Sequence, residues 1–307
     1  MTVGKEGISA KIIADSIGMI SCPGSKRITT FELEYPRFIL AELNTHRMLS
    51  KNSSSSRAIP VQKMLDMITE NPAMPVWWGK NQPGMSAKEE LSEELISCTK
   101  NQWDAARMDA AKSVKILNTM GLHKQIANRI TEPWQRMKTV VTGTEWANLL
   151  WLRDHADAQP EFAELAKCIR EEFENSKPKS LAPGEWHLPY VLSELAEDGS
   201  ELAYFSEEGR ITPEQALKLS SSCCAQVSYR NMNDSLEKAI EIYDKLVGSS
   251  HKHASPFEHQ ATPMKHQFPF QAWQEGITHK DRDGDYWSGN FRGWIQHRQL
   301  IPGHVHW

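Results

Sequence analysis

The first third of the chain alternates between extended segments and one short helical segment. Residues 8–20 and 28–43 are rich in β-branched and apolar residues, and they flank a turn sequence that begins at Cys22-Pro-Gly-Ser. This pattern predicts two extended or mixed segments in a hairpin-like arrangement. Residues 61–70 carry apolar side chains at helical spacing and end just before Asn71-Pro72, so they predict a short helix.

Four longer amphipathic patterns follow, each with apolar residues three or four positions apart. They predict helices over residues 86–122, 144–153, 160–174 and 234–246. Ser86 is placed to cap the first of these helices, and Asn233 or Asp234 the last. Residues 72–84 contain prolines, glycines and two tryptophans, and they predict an irregular loop that either packs on the core or covers a site.

These elements together predict an α/β (α+β) fold with long helices packed on a mixed sheet. Residues 176–184, with the sequence SKPKSLAPG, form the most linker-like stretch of the chain. We therefore expect a core segment at residues 1–175 and a second segment at residues 185–307 that completes the same fold.

Composition narrows the class of protein. At 307 residues the chain can bury a sizeable core, and its net charge of −4 is spread along the sequence, so we expect no nucleic-acid polymer as partner. The five cysteines show no C-x-x-C spacing, which argues against a disulfide framework and a cysteine zinc site. No apolar run is long enough to span a membrane and no signal-peptide core is present, so we expect a soluble cytoplasmic protein.

The chemistry-bearing stretch of the sequence is residues 31–60, where an apolar run changes abruptly into a polar one. After Leu43 the chain presents His46 and Arg47, then four consecutive serines, then Arg57. The planar guanidinium group of arginine can donate paired N–H bonds to phosphate oxygens, and small hydroxyls with nearby backbone amides can surround an anion. The stretch therefore predicts an anion-binding loop, and the alternative is a flexible serine linker.

This stretch resembles the signature of the flavin-dependent thymidylate synthases. That signature reads R-H-R, two residues, S, one residue, N-E, one residue, S, one residue, R. The matching positions are His46, Arg47, Ser50, Asn52, Ser55 and Arg57. The departures are Thr45 for the first arginine, Ser53 for the glutamate, Glu42 for an upstream glutamine and Ala58 for a tyrosine that commonly follows.

A second block resembles the same family. Arg129 stands four residues before Pro133, as does a phosphate-binding arginine of the family, and Asn148 stands five residues before Arg153, with Ala158-Gln159 shortly after. From the residues alone, the segment around Arg153 is also compatible with a surface helix that ends in a solvated arginine.

A third block appears out of order. Residues 224–229 (CAQVSY) and 253–259 (HASPFEH) are similar to two elements that lie near the N-terminus in the family, but here they follow the other motifs. The resemblance therefore implies a circularly permuted or rearranged version of the family fold, which is physically tolerable because chain termini usually lie at the surface. Residues 286–292 add an aromatic-Asn-Arg segment similar to the one that precedes the family's Asn/Arg helix, as a replacement or as a duplicate.

The resemblance implies one-carbon transfer to C5 of a pyrimidine deoxynucleoside monophosphate, with dUMP favoured over dCMP. It also implies FAD as cofactor, a reduced folate (methylenetetrahydrofolate) and NADPH as cosubstrates, and a homo-oligomer, a tetramer in the family, with sites shared between subunits. The substrate-binding residues would be Ser55, Arg57, Arg129 and Arg153, of which Ser55 and Arg153 would be catalytic. The flavin would be held by His46, Arg47, Ser50, Asn52, Asn148, His253 and Ser255.

Two other classes of function stay open at this point. A metal-dependent hydrolase would use the H-x-H pairs at 251–253 and 304–306 or the acidic run at 281–285. These patterns lack a third ligand or a complete calcium-loop spacing, so we expect no metal. A non-catalytic nucleotide-binding protein is the other alternative, because Thr45 and Ser53 depart from the signature.

Overall fold

The structure is a computed structural model, which describes residues 1–19, 26–195, 202–227, 232–248, 252–268 and 270–305. Several positions singled out in the sequence fall outside these ranges: the turn that begins at Cys22, Tyr229 of the third block, and two of the paired histidines, His251 and His306.

A six-stranded sheet lies at the centre of the first half of the chain. Its strands are β1 (Thr2–Val3), β2 (Ser9–Gly18), β3 (Arg27–Pro36), β4 (Ser50–Ser53), β5 (Arg136–Gly143) and β6 (Lys179–Leu181). The order is β1-β2-β3-β5-β4, with antiparallel pairing throughout, and β6 joins β2 in parallel. The predicted α/β class with a mixed sheet is therefore confirmed.

The two predicted extended segments form the centre of this sheet. Strands β2 and β3 pair antiparallel, with Ile12 opposite Phe31 and a register shift before Ala14. Strand β3 ends at Pro36, which has no N–H to continue the ladder. The chain then turns into a 3₁₀ helix (Arg37–Ile39) and a short helix α1 (Leu40–Asn44), so only the first part of residues 28–43 is extended.

Seven further helices are present among the described residues. They are α2 (Val61–Glu70), α3 (Glu93–Thr119), α4 (Lys124–Ala127), α5 (Ala147–Arg153), α6 (Pro160–Asn175), α7 (Pro213–Gln226) and α8 (Leu236–Gly248). The helices predicted over 61–70 and 160–174 are confirmed, and α5 begins three residues later than the predicted start at 144.

The predicted start of the longest helix is wrong. Helix α3 begins after Ser92 and not after Ser86, because the segment before it pairs with the preceding loop. Leu91 donates its N–H to the Trp78 carbonyl at 2.9 Å, and Lys80 donates to the Glu89 carbonyl at 2.8 Å. These bonds use backbone groups that a helix would need for itself.

Helix caps show two more differences from the sequence prediction. Ser235, and neither Asn233 nor Asp234, accepts a hydrogen bond from the Lys238 N–H at the start of α8. Helix α7 was not predicted, although Thr212 and Gln215 form a reciprocal capping box at its start.

In the second half of the chain, the described residues form three small sheets. Strands β7 (Leu192–Leu195), β8 (Leu202–Ser206) and β9 (Gly209–Ile211) form one of them. Strand β10 (Ala261–Pro263) pairs with β14 (Trp294–Gln296), and β11 (His279–Lys280), β12 (Tyr286–Ser288) and β13 (Phe291–Arg292) form the third.

The main sheet packs on both of its faces. Phe31, Leu33 and Tyr35 of β3 point to one face and pack with Phe162 and Leu165 of α6. A second core packs Ile28 against side chains of α7 and the small sheets, which include Leu219, Phe291 and Trp294. A third core lies between α2 and α3. No helix in the described ranges is long and apolar enough to cross a membrane.

Buried polar contacts join the two halves of the chain across the predicted boundary. Thr30 bonds His187 at 2.8 Å and Thr142 at 2.7 Å, and Thr142 bonds His259 at 2.8 Å. Both histidines are almost completely buried, and burial lowers the pKa of each to about 3, so the rings are neutral acceptors or donors in this network. The division at residues 176–184 stays a prediction, and β6 lies within it.

Candidate functional site

A cleft of about 590 Å³ opens at the edge of the main sheet, where three separate parts of the chain meet. It lies between the serine loop after β4, the 3₁₀ helix Asn128–Trp134 and the 3₁₀ helix Ser255–Glu258. The predicted site residues that line it are Asn52, Ser55, Arg57, Arg129, His253 and Ser255. The first, second and third sequence blocks therefore all contribute to one cavity, which we call the anion cleft.

The serine loop is fixed by bonds that explain why it is not a free linker. Ser54 donates its backbone N–H to the Lys138 carbonyl at 2.7 Å, and its hydroxyl accepts from the Lys138 N–H at 3.1 Å, so the loop stays bonded to β5 beyond the end of β4. Asn128, which is fully buried, donates to the Ser56 and Ile59 carbonyls at 2.8 and 3.0 Å. The residue before Arg129 thus ties its 3₁₀ helix to the loop that carries Arg57.

The cationic side of the cleft contains an arginine that the sequence analysis missed. Arg37 lines the cleft beside Arg57 and Arg129. Glu132 accepts from Arg37 at 2.9 Å and from Arg129 at 3.3 Å, so two guanidinium groups share one carboxylate. The guanidinium of Arg57 has no protein partner among the described residues. The cleft therefore keeps an excess of positive charge for an anionic ligand.

Lys51 adds a further positive group at the inner wall. Its ammonium donates to the carbonyls of His46 and Leu49. Burial lowers the pKa of Lys51 to about 8, against an opposing effect of the Glu258 carboxylate.

A second set of motif residues lies outside the anion cleft, in what we call the arginine–histidine cluster of Glu42, His46, Arg153 and Phe162. Arg153 donates to the Glu42 carboxylate at 2.8 Å and to His46 Nε2 at 3.1 Å, and its guanidinium lies 4.6 Å from the centre of the Phe162 ring. Burial first, and then the charges of Arg153 and Lys51, lower the pKa of His46 to about 4. Arg153 is thus paired within the chain.

Three more predicted residues lie outside the cleft. Ser50 is 2% exposed, and its hydroxyl bonds Asn290 and Gln296. Arg47 and Asn148 are exposed, and neither side chain forms a hydrogen bond or an ion pair within the described residues.

The aromatic-Asn-Arg segment near the C-terminus docks beside two of the motifs. Asn290 holds Ser50 at 3.1 Å. Arg292 forms a bidentate pair with Glu145 at 2.8 and 2.6 Å, and its N–H donates to Thr144 at 3.2 Å, just before α5. The segment that resembles the sequence before the Asn/Arg helix thus lies in space at the start of that helix.

The predicted flavin-binding set fits a flavin nucleotide only in part within one chain. Asn52, His253 and Ser255 line the anion cleft and can offer donors to polar and anionic groups. His46 Nε2 accepts from Arg153 and the Ser50 hydroxyl accepts from Asn290, so these two groups face protein partners instead. Within the described residues, no group of three or more histidine, cysteine, aspartate or glutamate side chains could hold a metal ion.

Comparison with known proteins finds a family whose model matches half of the sequence. The model of the thymidylate synthase complementing proteins matches residues 26–179. The matched stretch contains the first two sequence blocks, and the third block lies outside it. No curated protein matches the chain in sequence.

Solved structures resemble parts of the fold. A UMP/dUMP methylase, PolB from Streptomyces cacaoi, bound with 5-Br UMP, is 16% identical, with 54% of this chain and 88% of that chain covered and a TM-score of 0.45. Thymidylate synthase X from Helicobacter pylori, with FAD and dUMP, is 18% identical, with 48% and 67% covered and a TM-score of 0.33. At these scores the likeness is partial, and the family assignment depends on the sequence match.

Proposed function

The chain belongs to the family of thymidylate synthase complementing proteins, and from this premise we propose that it methylates C5 of a pyrimidine deoxynucleoside monophosphate, with dUMP as substrate. As a member of this family it is a methyltransferase. The finer choices, which are the base, the cofactor and the cosubstrates, are parts of the proposal.

The observation that carries the proposal is the convergence of Ser55, Arg57 and Arg129 on one cleft. Arg129 lies far along the chain from the serine loop, yet the fold brings the two together with an excess of positive charge. A phosphate dianion would meet the arginine N–H groups and the loop hydroxyls, and charge-assisted bonds of this kind contribute roughly 1.5–3 kcal/mol each. The phosphate would anchor the nucleotide so that Ser55 lies beside the pyrimidine ring.

The choice of uracil over cytosine is supported by where the sequence departures lie. Of Thr45, Ser53 and Glu42, only Ser53 lines the anion cleft. Glu42 pairs with Arg153, and Thr45 is exposed with its hydroxyl bonded to the Glu42 carbonyl. Thr45 and Glu42 therefore do not form part of the cleft wall, and Glu42 would act on the base only through its pairing with Arg153.

FAD is proposed as the cofactor, with a reduced folate as one-carbon donor and NADPH as reductant. A bound flavin would supply hydride transfer, which no side chain of the protein can supply. Asn52, His253 and Ser255 would bind it from the anion cleft, and exposed Arg47 and Asn148 are free to reach it from outside.

Arg153 would stabilise negative charge on the ring carbonyl. For this role it must reach a nucleotide in the anion cleft. Within one chain it lies in the arginine–histidine cluster and not in the anion cleft. We therefore propose that a second subunit presents Arg153 to the cleft. Mixing inactive Arg57→Ala and Arg153→Ala subunits should restore part of the activity, because a mixed oligomer contains sites with both arginines. Activity that stays absent in oligomers proven to be mixed would contradict a shared site.

The direct test of the function is titration of the purified protein with dUMP and with dCMP while the flavin spectrum is followed. A yellow protein whose spectrum responds to dUMP at lower concentration than to dCMP is the expected result. A clear preference for dCMP would replace the substrate with cytosine and the reaction with dCMP methyl- or hydroxymethyltransfer. A colourless protein that binds neither nucleotide would overturn the proposal.

A further inference from the structure

At one edge of the anion cleft, two arginines converge on a single oxygen atom. Arg37 Nη2 and Arg129 Nη1 lie 2.9 and 3.3 Å from the same atom, Oε1 of Glu132. Both arginines line the cleft. Two guanidinium groups that converge in this way form a binding position for an oxyanion such as phosphate. In this protein a carboxylate of the chain itself fills that position.

The backbone holds this arrangement in place. Arg129 and Glu132 stand three residues apart in the 3₁₀ helix Asn128–Trp134, where such side chains lie on one face. The Arg37 N–H donates to the carbonyl of Gln135, at the end of the same helix, at 2.8 Å. The side chains of Arg37 and Glu132 are 18% and 31% exposed. The carboxylate is therefore fixed between the arginines and is still open to a ligand.

The charges on this side of the cleft match a single phosphate group. Arg37, Arg57 and Arg129 carry three positive charges and Glu132 carries one negative charge, which leaves an excess of two. A phosphate monoester carries about −1.5 to −2 charges at neutral pH. Lys51 lies apart at the inner wall, where it already donates to two backbone carbonyls. One phosphate thus neutralises the arginine side, and a longer phosphate chain would bring more negative charge than these groups can balance.

A second phosphate would compete for the position that Glu132 holds. With the first phosphate on Arg57 and Arg129, the neighbouring cation is Arg37, and the space between Arg37 and Arg129 contains the Glu132 carboxylate. Beyond Arg37 lies a second cavity, of about 540 Å³, whose described lining has two carboxyl groups and no cation other than Arg37. A phosphate chain that extends in this direction meets like charge, which is strongly unfavourable at short range.

We propose that Glu132 makes the anion cleft selective for nucleoside monophosphates, because its carboxylate occupies the position of a second phosphate and repels the longer chain of a nucleoside di- or triphosphate. This inference rests on the proposed function for the presence of a nucleotide in the cleft. A nucleoside triphosphate offers the arginines at least as many oxygens as a monophosphate, so attraction alone would favour the wrong nucleotide. A fixed negative charge reverses that preference.

The test is calorimetric titration of the whole chain and its Glu132→Gln variant with dUMP, dUDP and dUTP, without divalent cations. Glutamine keeps a carbonyl oxygen for both arginines and removes the charge. The unaltered protein should bind dUMP about tenfold more tightly than dUDP or dUTP. Glu132→Gln should lower the dUDP and dUTP Kd values about fivefold to twentyfold and the dUMP Kd less than about threefold.

The matched control is Glu241→Gln. Glu241 also lies between two cationic side chains, Lys238 and Lys245, and it lines neither cavity. This variant changes the net charge of the protein by the same amount, so it should leave the ratio of the dUDP and dUMP Kd values within twofold of its original value. An equal shift in both variants would reduce the effect to net charge and contradict the proposal.

Two further results would overturn the role of Glu132: an unaltered protein that binds dUDP or dUTP as tightly as dUMP, or a preference that Glu132→Gln leaves unchanged. If no uracil nucleotide binds, the proposed function fails, and inorganic phosphate and pyrophosphate take the place of the nucleotides as probes. Glu132→Gln must then lower the pyrophosphate Kd at least fivefold more than the phosphate Kd. If it does not, or if neither ion binds, Glu132 is not a selectivity residue.

Discussion

The first two sequence blocks supply residues to both the anion cleft and the arginine–histidine cluster, but the arginines of the two regions differ in how far they are paired with carboxylates. In the cleft, the guanidinium of Arg57 has no protein partner within the described residues, and Arg129 shares Glu132 with Arg37. In the cluster, Arg153 has its own carboxylate, Glu42, at 2.8 Å, and a stacked ring beneath it. One region holds charge available for a ligand, and the other has its charge already neutralised.

The difference shows that a motif match identifies residues but not their electrostatic state. Position 42 decides the state of the cluster, because a glutamine there would hydrogen-bond Arg153 without neutralising it. The glutamate makes an ion pair within the chain. Substitutions in the cleft should therefore act mainly on ligand binding, and substitutions in the cluster should lower stability in addition to any effect on activity.

The largest expected effect is on nucleotide binding by the cleft. Arg57→Ala should raise the dUMP Kd about tenfold to a hundredfold, because it removes charge-assisted bonds to the phosphate worth roughly 1.5–3 kcal/mol. Arg129→Ala should raise it less, because Arg129 is already partly paired with Glu132. Calorimetric titration with dUMP and with deoxyuridine measures both effects, and deoxyuridine binding should change little.

The control for this experiment comes from the same motif. Arg47 is an exposed arginine outside the cleft. Arg47→Ala should leave the dUMP Kd within twofold and lower the flavin content of the purified protein. Equal losses for dUMP and deoxyuridine in Arg57→Ala would contradict the phosphate role, and unchanged flavin content in Arg47→Ala would remove that residue from the flavin site.

In the arginine–histidine cluster the expected effect is a loss of stability. Arg153→Ala should lower the free energy of unfolding by roughly 1.5 kcal/mol, because it leaves Glu42 and His46 without their partner and removes the contact with Phe162. Urea unfolding measures this loss, and Arg153→Lys should recover part of it. If Arg153→Ala leaves stability unchanged, the ion pair seen within one chain does not form in solution.

Much of the fold follows from local sequence signals. Helices α2 and α6 have strong apolar periodicity with proline or Asn-Pro at their ends, and they were predicted within a residue of their limits. Helix α7 was missed even though Thr212 begins a capping box, because its apolar periodicity is weak. The start of α3 was misplaced because the competing pairing of residues 77–91 is a tertiary feature of the loop.

The site was predictable only where chemistry and spacing coincide. Arg57 and Arg129 could be named because they match a signature, and the structure brings them together. Arg37 could not, because nothing local marks an arginine after a strand as a cleft residue. Glu42 was noted as a departure, but its pairing with Arg153 joins positions 111 apart in sequence. The roles assigned to the individual site residues stay predictions.

The smallest expected effect is a pH dependence that belongs to the cluster alone. His46 Nε2 accepts a hydrogen bond from Arg153, so a proton placed there would face a guanidinium, and burial with the charges of Arg153 and Lys51 lowers the pKa of His46 to about 4. The unfolded chain binds that proton near pH 6.5, so stability is present above this value and is lost as the pH falls toward 4. Between pH 7.5 and 5.5 this single residue should cost about 1 kcal/mol of the free energy of unfolding.

His46→Gln keeps an acceptor for Arg153 and cannot titrate, so urea unfolding at the two pH values should show a loss about 1 kcal/mol smaller than in the unaltered protein. The buried His187 and His259 titrate in both proteins and cancel in this difference. An equal loss in both proteins would mean that His46 is not buried beside Arg153 as the structure has it, and the cluster would then lose its distinction from the open cleft.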